Sequence, residues 1–214
     1  MVPRIFVVLC AASIALTSAA AQQKPVRVHG TVEQVDGSVL TVKSREGDAL
    51  KVKLADDGKV LAVVKASAAD IKPGSYVGST AMPEANGRWE AVEVHIFPES
   101  MRGLGLGDRP WDLKPQSTMT NGTVGSAAND RAASGTVGGA VAKTKGSTLT
   151  IEYQNHAEKK IDLTPDTVIV SYAPGSKDEL KPGAQIFIPA ATRQSDGSLM
   201  TARVNVGRGV APPM

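Results

Sequence analysis

The stretch that decides the fold is DGSVLTV, residues 36–42, because it recurs as KGSTLTI at residues 145–151. Around it, residues 28–81 align with residues 137–190 at a constant offset of 109 positions, and 15 of the 54 aligned pairs are identical. The shared residues are mostly Gly, Pro and apolar residues. A repeat of this length indicates a duplicated small domain, since solenoid units are shorter.

The repeat continues beyond the aligned block. IKPG at residues 71–74 matches LKPG at residues 180–183, and one extra residue then changes the offset to 110, which places Val94 on Val204. The duplication therefore covers most of the chain after its N-terminal segment.

Apolar and polar residues alternate with a period of two within each copy. Leu40 and Val42 are separated by Thr41, and Val52 and Leu54 are separated by Lys53. This alternation predicts strands that are buried on one face. The equivalent residues of the second copy, which we also expect in a core, are Leu149, Ile151, Ile161 and Leu163.

Tight turns such as Asp36-Gly37-Ser38 join the short strands, and Lys72-Pro73-Gly74 ends a single helical turn. Five or six strands in about 70 residues, with a helical turn among them, are typical of a small OB-like barrel. The fold class predicted is mostly β, with two tandem small OB-like β-barrels that arise from the duplication and are joined by a structured irregular connector. The predicted division of the chain is a signal peptide at 1–21, a first barrel at 22–97, the connector at 98–134, a second barrel at 135–208 and a tail at 209–214.

The connector carries apolar residues that a flexible linker lacks, among them Met101, Leu104, Leu106 and Trp111. We therefore expect it to be ordered and to pack on the barrels. The start of the second copy stays open, because NGTVG at 121–125 and SGTVGG at 134–139 can each begin its first strand.

The N-terminus predicts export. Arg4 precedes an apolar run, and Ala19 and Ala21 fill the small-residue positions of a cleavage site before Gln22. Cys10 is the only cysteine and would be removed with this segment, so the mature chain would have no disulfide and no thiolate site. These features predict a periplasmic protein that is cleaved after Ala21.

Composition argues against several functional classes. The formal net charge is +3, with basic and acidic residues interspersed, whereas a nucleic-acid binder normally has a basic face. No later segment has the run of about 20 apolar residues that a membrane helix needs, so no transmembrane segment is expected in the mature chain. No Ser lies in a nucleophile-elbow pattern, and His156 falls in a predicted turn, so no catalytic residue is predicted.

The stretch VRVHGTVEQVDGSVLTVKSREGDALKVKLADD, residues 26–57, resembles the DUF5666 group of bacterial exported domains. The shared pattern is a G-x-V strand, a D-G-x-x-L-T-V hairpin, a V-x-L strand and a later L-K-P-G. Residues 95–124 are also similar to a subgroup of two-copy proteins that often carries the label "metal ABC transporter permease". The resemblance implies export and a β fold, but its motifs are structural and imply no catalytic residue.

Two sets of side chains are candidates for function. His29, Glu93 and His95 would meet if the first and last strands of one barrel were neighbours, and two imidazoles with one carboxylate suit Zn, Cu or Ni. The second copy has Arg203 and Asn205 opposite Glu93 and His95, so this metal site is only a weak candidate and no cofactor is predicted.

Trp89, Met101 and Trp111 are the candidate anchors for a partner or for internal packing. The function predicted is a periplasmic, non-enzymatic binding or scaffolding protein whose partner is an envelope protein or a small ligand. The alternatives are a periplasmic metal-binding or metal-transport accessory protein and, more distantly, an enzyme of unknown class.

Overall fold

The structure is a computed structural model that describes residues 24–85, 87–111, 113–128 and 147–212. The predicted signal peptide and its cleavage site lie outside the described residues. The described part is mostly β and contains four short 3-10 turns. Its strands are β1 (Val26–Asp36), β2 (Val39–Ser44), β3 (Ala49–Lys65), β4 (Tyr76–Pro83), β5 (Trp89–Ile96), β6 (Gly107–Pro110), β7 (Thr118–Ala128), β8 (Thr148–Glu152), β9 (Glu158–Asp162), β10 (Val168–Pro174), β11 (Gln185–Arg193) and β12 (Leu199–Arg208).

Five of these strands close into a barrel, which we call the first ring. β2 pairs with β1 and β3, while β11 pairs with β1 and β12. A parallel pairing of β12 with β3, in which Val204 lies opposite Val60, completes the closure. The interior is filled by apolar side chains from all five strands and by Leu180.

A second closed cycle of pairings, the second ring, joins β4, β5, β7, β8 and β9. β4 pairs with β5 and β7, and β8 pairs with β7 and β9. A short parallel pairing of β5 with β9, in which Trp89 lies opposite Ile161, closes the cycle. Ile71, from the turn before β4, lies in the core of this ring.

Each ring draws strands from both copies of the repeat. The first ring takes β1–β3 from the first copy and β11 and β12 from the second, whereas the second ring takes β4 and β5 from the first copy. The expectation that each barrel would be built from one contiguous copy is therefore wrong for these pairings. The core residues follow the same exchange, because Ile71 and its counterpart Leu180 each lie in the core of the other copy's first three strands.

The chain segments that lead from one ring to the other run beside each other where β3 pairs with β10. β3 is 17 residues long and continues past the end of β2, and its last part pairs antiparallel with β10 on one edge and parallel with β12 on the other. Val63 lies opposite Tyr172, its own counterpart at the offset of 109, and the flanking pairs are symmetric about this point. The first copy continues from its third strand in extended conformation, whereas a turn at residues 164–167 separates β9 from β10 in the second. In both copies the last two strands then lie in the other ring.

The predicted core is confirmed. Leu40, Val42, Val52 and Leu54 are at most 2% exposed. Their counterparts Leu149, Ile151, Ile161 and Leu163 are at most 5% exposed. The alternation of the sequence therefore identified the inward face of both sets of strands.

β7 is one of the two strands that pair with β8, and it contains the NGTVG motif. Gly122 of this motif has the same surroundings as Gly30 of β1, because a Cβ at either position would meet a backbone carbonyl of the adjacent strand at 2.2–2.3 Å. Of the two candidate starts for the second copy, the structure therefore supports residues 121–125. The other, residues 134–139, lies outside the described residues.

The predicted connector contains all of β6 and β7 and is tied to the second ring. The Tyr76 hydroxyl and the Asn121 Nδ2 both donate to the Leu104 carbonyl oxygen, at 3.0 Å each. Leu104 and Leu106 themselves are 43% exposed, so the expectation that they pack inward is wrong. No helix in the described part of the chain has the length and apolar character needed to cross a membrane.

Candidate functional site

A cleft of about 300 Å³, which we call the central cleft, is lined by side chains of both rings, of β10 and of the segment between β5 and β7. The exchange of strands brings these elements together. The lining residues are Arg27, His95, Phe97, Met101, Leu104, Gly105, Arg109, Trp111, Met119, Asn121, Tyr172, Phe187, Pro189, Ala190, Arg203 and Asn205.

One part of the lining is cationic. The guanidinium of Arg27 lies 3.9 Å from the ring centroid of Trp111, and that of Arg109 lies 5.3 Å from the same ring. Burial lowers the pKa of Arg109, and the nearby Arg27 lowers it further. Trp111 therefore holds two cations at the cleft through cation–π contacts.

Arg203 and Asn205 are the most distinctive polar residues of the cleft. They are two positions apart on β12, so both side chains lie on the same face of the strand. Among the described residues, no carboxylate pairs with the Arg203 guanidinium, and burial lowers the pKa of this group.

Asn205 has a buried amide oxygen without a partner. The residue is 2% exposed, and its Oδ1 accepts no hydrogen bond from the described part of the chain. A buried polar group without a partner costs about 1–3 kcal/mol, so native proteins rarely leave one unsatisfied. A bound molecule that donates a hydrogen bond to this oxygen would remove that cost.

Aromatic rings form the apolar part of the lining. Phe97 and Tyr172 are stacked, with centroids 5.4 Å apart and planes 5° apart. Phe187 stacks on His29 at 4.3 Å. Tyr172 and Phe187 lie on β10 and β11, and Phe97 is the residue after β5, so these rings form one aromatic wall of the cleft.

A chain of three hydrogen-bonded side chains lies behind this wall. His95 Nε2 is 3.0 Å from Glu93 Oε1, and His95 Nδ1 is 3.1 Å from the Tyr172 hydroxyl. In the tautomer that carries its proton on Nε2, His95 donates to Glu93 Oε1, and Nδ1 accepts from the Tyr172 hydroxyl. Burial raises the pKa of Tyr172, with Glu93 adding to the effect, so the phenol stays protonated and is a poor nucleophile.

The structure brings Glu93 and His95 together but places His29 elsewhere. His29 lies on β1 of the first ring, whereas the other two lie on β5 of the second, because the strand exchange makes β11 and not β5 the neighbour of β1. Within the described ranges, no group of three or more His, Cys, Asp or Glu side chains is placed to hold a metal ion.

The three candidate anchors differ in their surroundings. Met101 and Trp111 line the central cleft. Trp89 instead packs against the core of the second ring, with the Nζ of Lys159 3.5 Å from its ring centroid. Sequence reasoning missed Tyr172, Arg203 and Asn205 as site residues. The available signal was the repeat itself, since Arg203 and Asn205 replace Glu93 and His95 at equivalent positions.

Comparison of the chain with protein-family models, curated proteins and solved structures gave no match. The resemblance to the DUF5666 group stays a prediction, and functional inference therefore depends on the central cleft alone.

Proposed function

We propose that this chain is an exported, non-enzymatic binding protein whose ligand site is the central cleft. The observation that carries the proposal is the pair Arg203 and Asn205 in an otherwise largely apolar cleft: among the described residues, no carboxylate pairs with the guanidinium and no donor reaches the Asn205 Oδ1. Ligand sites in proteins have this composition, with apolar walls and a few convergent polar groups. Of the two partners expected from the sequence, a cleft of this size favours the small ligand.

We propose that the fold is a pair of OB-like barrels that have exchanged their last two strands. Five strands with one parallel closure, and a helical turn whose apolar residue enters the core, support this for each ring. The exchange places the outer faces of the two rings around one cleft.

A binding role is also supported by the state of the polar chain behind the cleft. Tyr172 and His95 both line the cleft, and the raised pKa of Tyr172 disfavours the phenolate that nucleophilic chemistry would need. His95 and Glu93 then serve to hold the phenol in one orientation.

Intrinsic fluorescence tests the binding proposal, because the chain has only two tryptophans. In a Trp89→Phe variant, the remaining Trp111 reports on the central cleft. We expect at least one of 3-phenylpropanoate, 3-phenylpropanamide and 3-phenylpropylammonium to change its emission saturably.

The matched control is Trp111→Phe, which keeps Trp89 outside the cleft and should give no saturable change. Ala190→Phe adds volume at the lining and should abolish the response, whereas Ala202→Phe, which is outside the lining, should preserve it. Failure of all three compounds to bind would contradict the proposal.

Export is tested separately. We expect the periplasmic fraction of a Gram-negative expression host to contain a protein whose intact mass begins at Gln22. A protein that retains residues 1–21 would contradict cleavage after Ala21.

A further inference from the structure

We propose that the central cleft binds small carboxylic acids with an aromatic or other apolar body, and that Arg203 and Asn205 hold the carboxylate. This inference rests on the proposed binding function and specifies its ligand class. Its geometric basis is the position of two groups on one face of β12, beside the aromatic wall: the Arg203 guanidinium, which has no carboxylate partner among the described residues, and the Asn205 amide.

The charges around the cleft favour an anion. Arg27, Arg109 and Arg203 all line it, and no Asp or Glu from the described part of the chain is among the lining residues. The nearest candidates on neighbouring elements are already engaged: Glu93 is bonded to His95 and to the Thr80 hydroxyl, and Asp108 accepts from Lys159. An incoming anion would therefore find excess positive charge in a partly desolvated site, where electrostatic attraction is stronger than in water.

The polar groups suit a carboxylate in particular. A guanidinium presents a planar fork of donors that matches two carboxylate oxygens. Asn205 lies on the same strand face with its Cα about 7 Å from that of Arg203, so its amide can donate to the same head group. The donor in this contact is the Asn205 Nδ2; the unpaired Oδ1 is itself an acceptor and needs a hydrogen-bond donor on the body of the ligand.

The other residues that line the cleft indicate that the rest of the ligand is small and apolar or aromatic. Phe97, Tyr172, Phe187 and Met119 provide aromatic and thioether surface beside the head-group residues. A volume of about 300 Å³ is at the lower end for ligand pockets, which favours a single small molecule over a peptide segment.

Isothermal titration calorimetry of the full mature chain with three probes tests the ligand class. The probes share one phenylpropyl body and differ only in the head group: 3-phenylpropanoate is anionic, 3-phenylpropanamide is neutral and 3-phenylpropylammonium is cationic. We expect the anion to bind at least 10-fold more tightly than the amide, since a hydrogen bond to a charged group contributes enough for roughly a 10- to 100-fold change.

Substitutions assign the head group. Arg203→Gln should weaken 3-phenylpropanoate binding roughly 10- to 100-fold while leaving binding of the amide unchanged. Asn205→Ser should also lower the affinity for 3-phenylpropanoate. The matched control is Arg193→Gln, an exposed arginine on β11 outside the cleft, which should leave both affinities unchanged.

The outcomes separate this inference from the proposed function. Equal binding of anion and amide, or an Arg203→Gln variant with unchanged anion affinity, would overturn the carboxylate assignment and leave the binding function standing. No binding of any probe would overturn both. If Arg203→Gln fails to fold, the anion-to-amide ratio of the unaltered protein still decides the question.

Discussion

Lys159 is the charged side chain that ties the connector segment to the second ring. Its Nζ donates to Asp108 Oδ1 at 3.0 Å and to Thr118 Oγ1 at 2.7 Å, and its side chain is only 7% exposed. Burial lowers the pKa of Lys159, and the hydrogen bond to Asp108 opposes that shift. The cation on β9 therefore depends on a carboxylate supplied by β6.

We predict that Asp108→Ala lowers the free energy of unfolding by about 1.5–3 kcal/mol, because it removes a charge-assisted hydrogen bond and leaves a buried cation without its anion. Urea unfolding measures the change. The control is the same substitution in a Lys159→Met background, where the loss should be smaller. Equal losses in the two backgrounds would show that Lys159 and Asp108 are not coupled.

At the residue scale, sequence reasoning reached part of the site. Met101, Trp111 and His95 were singled out from residue type and position, and all three line the central cleft. Tyr172 and Arg203 were not, because a tyrosine or arginine on a strand is ordinary in sequence and becomes notable only when a facing element buries it.

At the element scale, the close contact of β7 with β8 depends on a glycine. A Cβ at Gly122 would lie 2.2 Å from the Glu152 carbonyl oxygen, so these strands could not keep their spacing. Three residues along the same strand, a Cβ at Gly125 would have no heavy atom closer than 4.0 Å.

We predict that Gly122→Ala lowers the free energy of unfolding by about 1–3 kcal/mol, as overpacking does elsewhere. Gly125→Ala is the matched control and should cause no loss, since alanine fits there and restricts the unfolded chain. Thermal and urea unfolding of both variants provide the measurement. Equal stability of the two variants would contradict the assignment of NGTVG to the strand beside β8.

The elements themselves were largely predictable. Period-two alternation identified the strands around Leu40 and Leu149 and their buried faces, because burial on one face of a sheet imposes that pattern locally. The partners of β3 were not predictable in the same way. Pairing with β12 joins residues about 145 positions apart, and no local pattern specifies which of two similar hairpins will supply that strand.

At the scale of the whole molecule, duplication creates two equivalent ways to close each ring. Because β4 and β5 resemble β11 and β12 in their inward residues, either pair can complete the core formed by β1–β3. Exchange of identical elements between copies is a known low-cost rearrangement. The extended crossing at Val63 and Tyr172 selects the exchanged form, and that form builds the central cleft from both halves of the chain.

Disulfide trapping distinguishes the exchanged strand pairing from closure of each copy on itself. Met200 lies opposite Lys53 in the parallel pairing of β12 with β3, and Glu90 is the residue that would take this place if the first copy closed on itself. In the structure, Glu90 lies instead opposite Asp162, the counterpart of Lys53 in the second copy. Adjacent strands lie about 4.8 Å apart, which is within the Cα separation that a disulfide spans.

In a Cys10→Ser background, we therefore compare Lys53→Cys/Met200→Cys with Lys53→Cys/Glu90→Cys under mild oxidation, and read the intramolecular disulfide by mass spectrometry of the digested protein. The exchanged structure predicts a disulfide between positions 53 and 200 and none between positions 53 and 90. A disulfide between 53 and 90, with none between 53 and 200, would show that each copy forms its own barrel and would contradict this account.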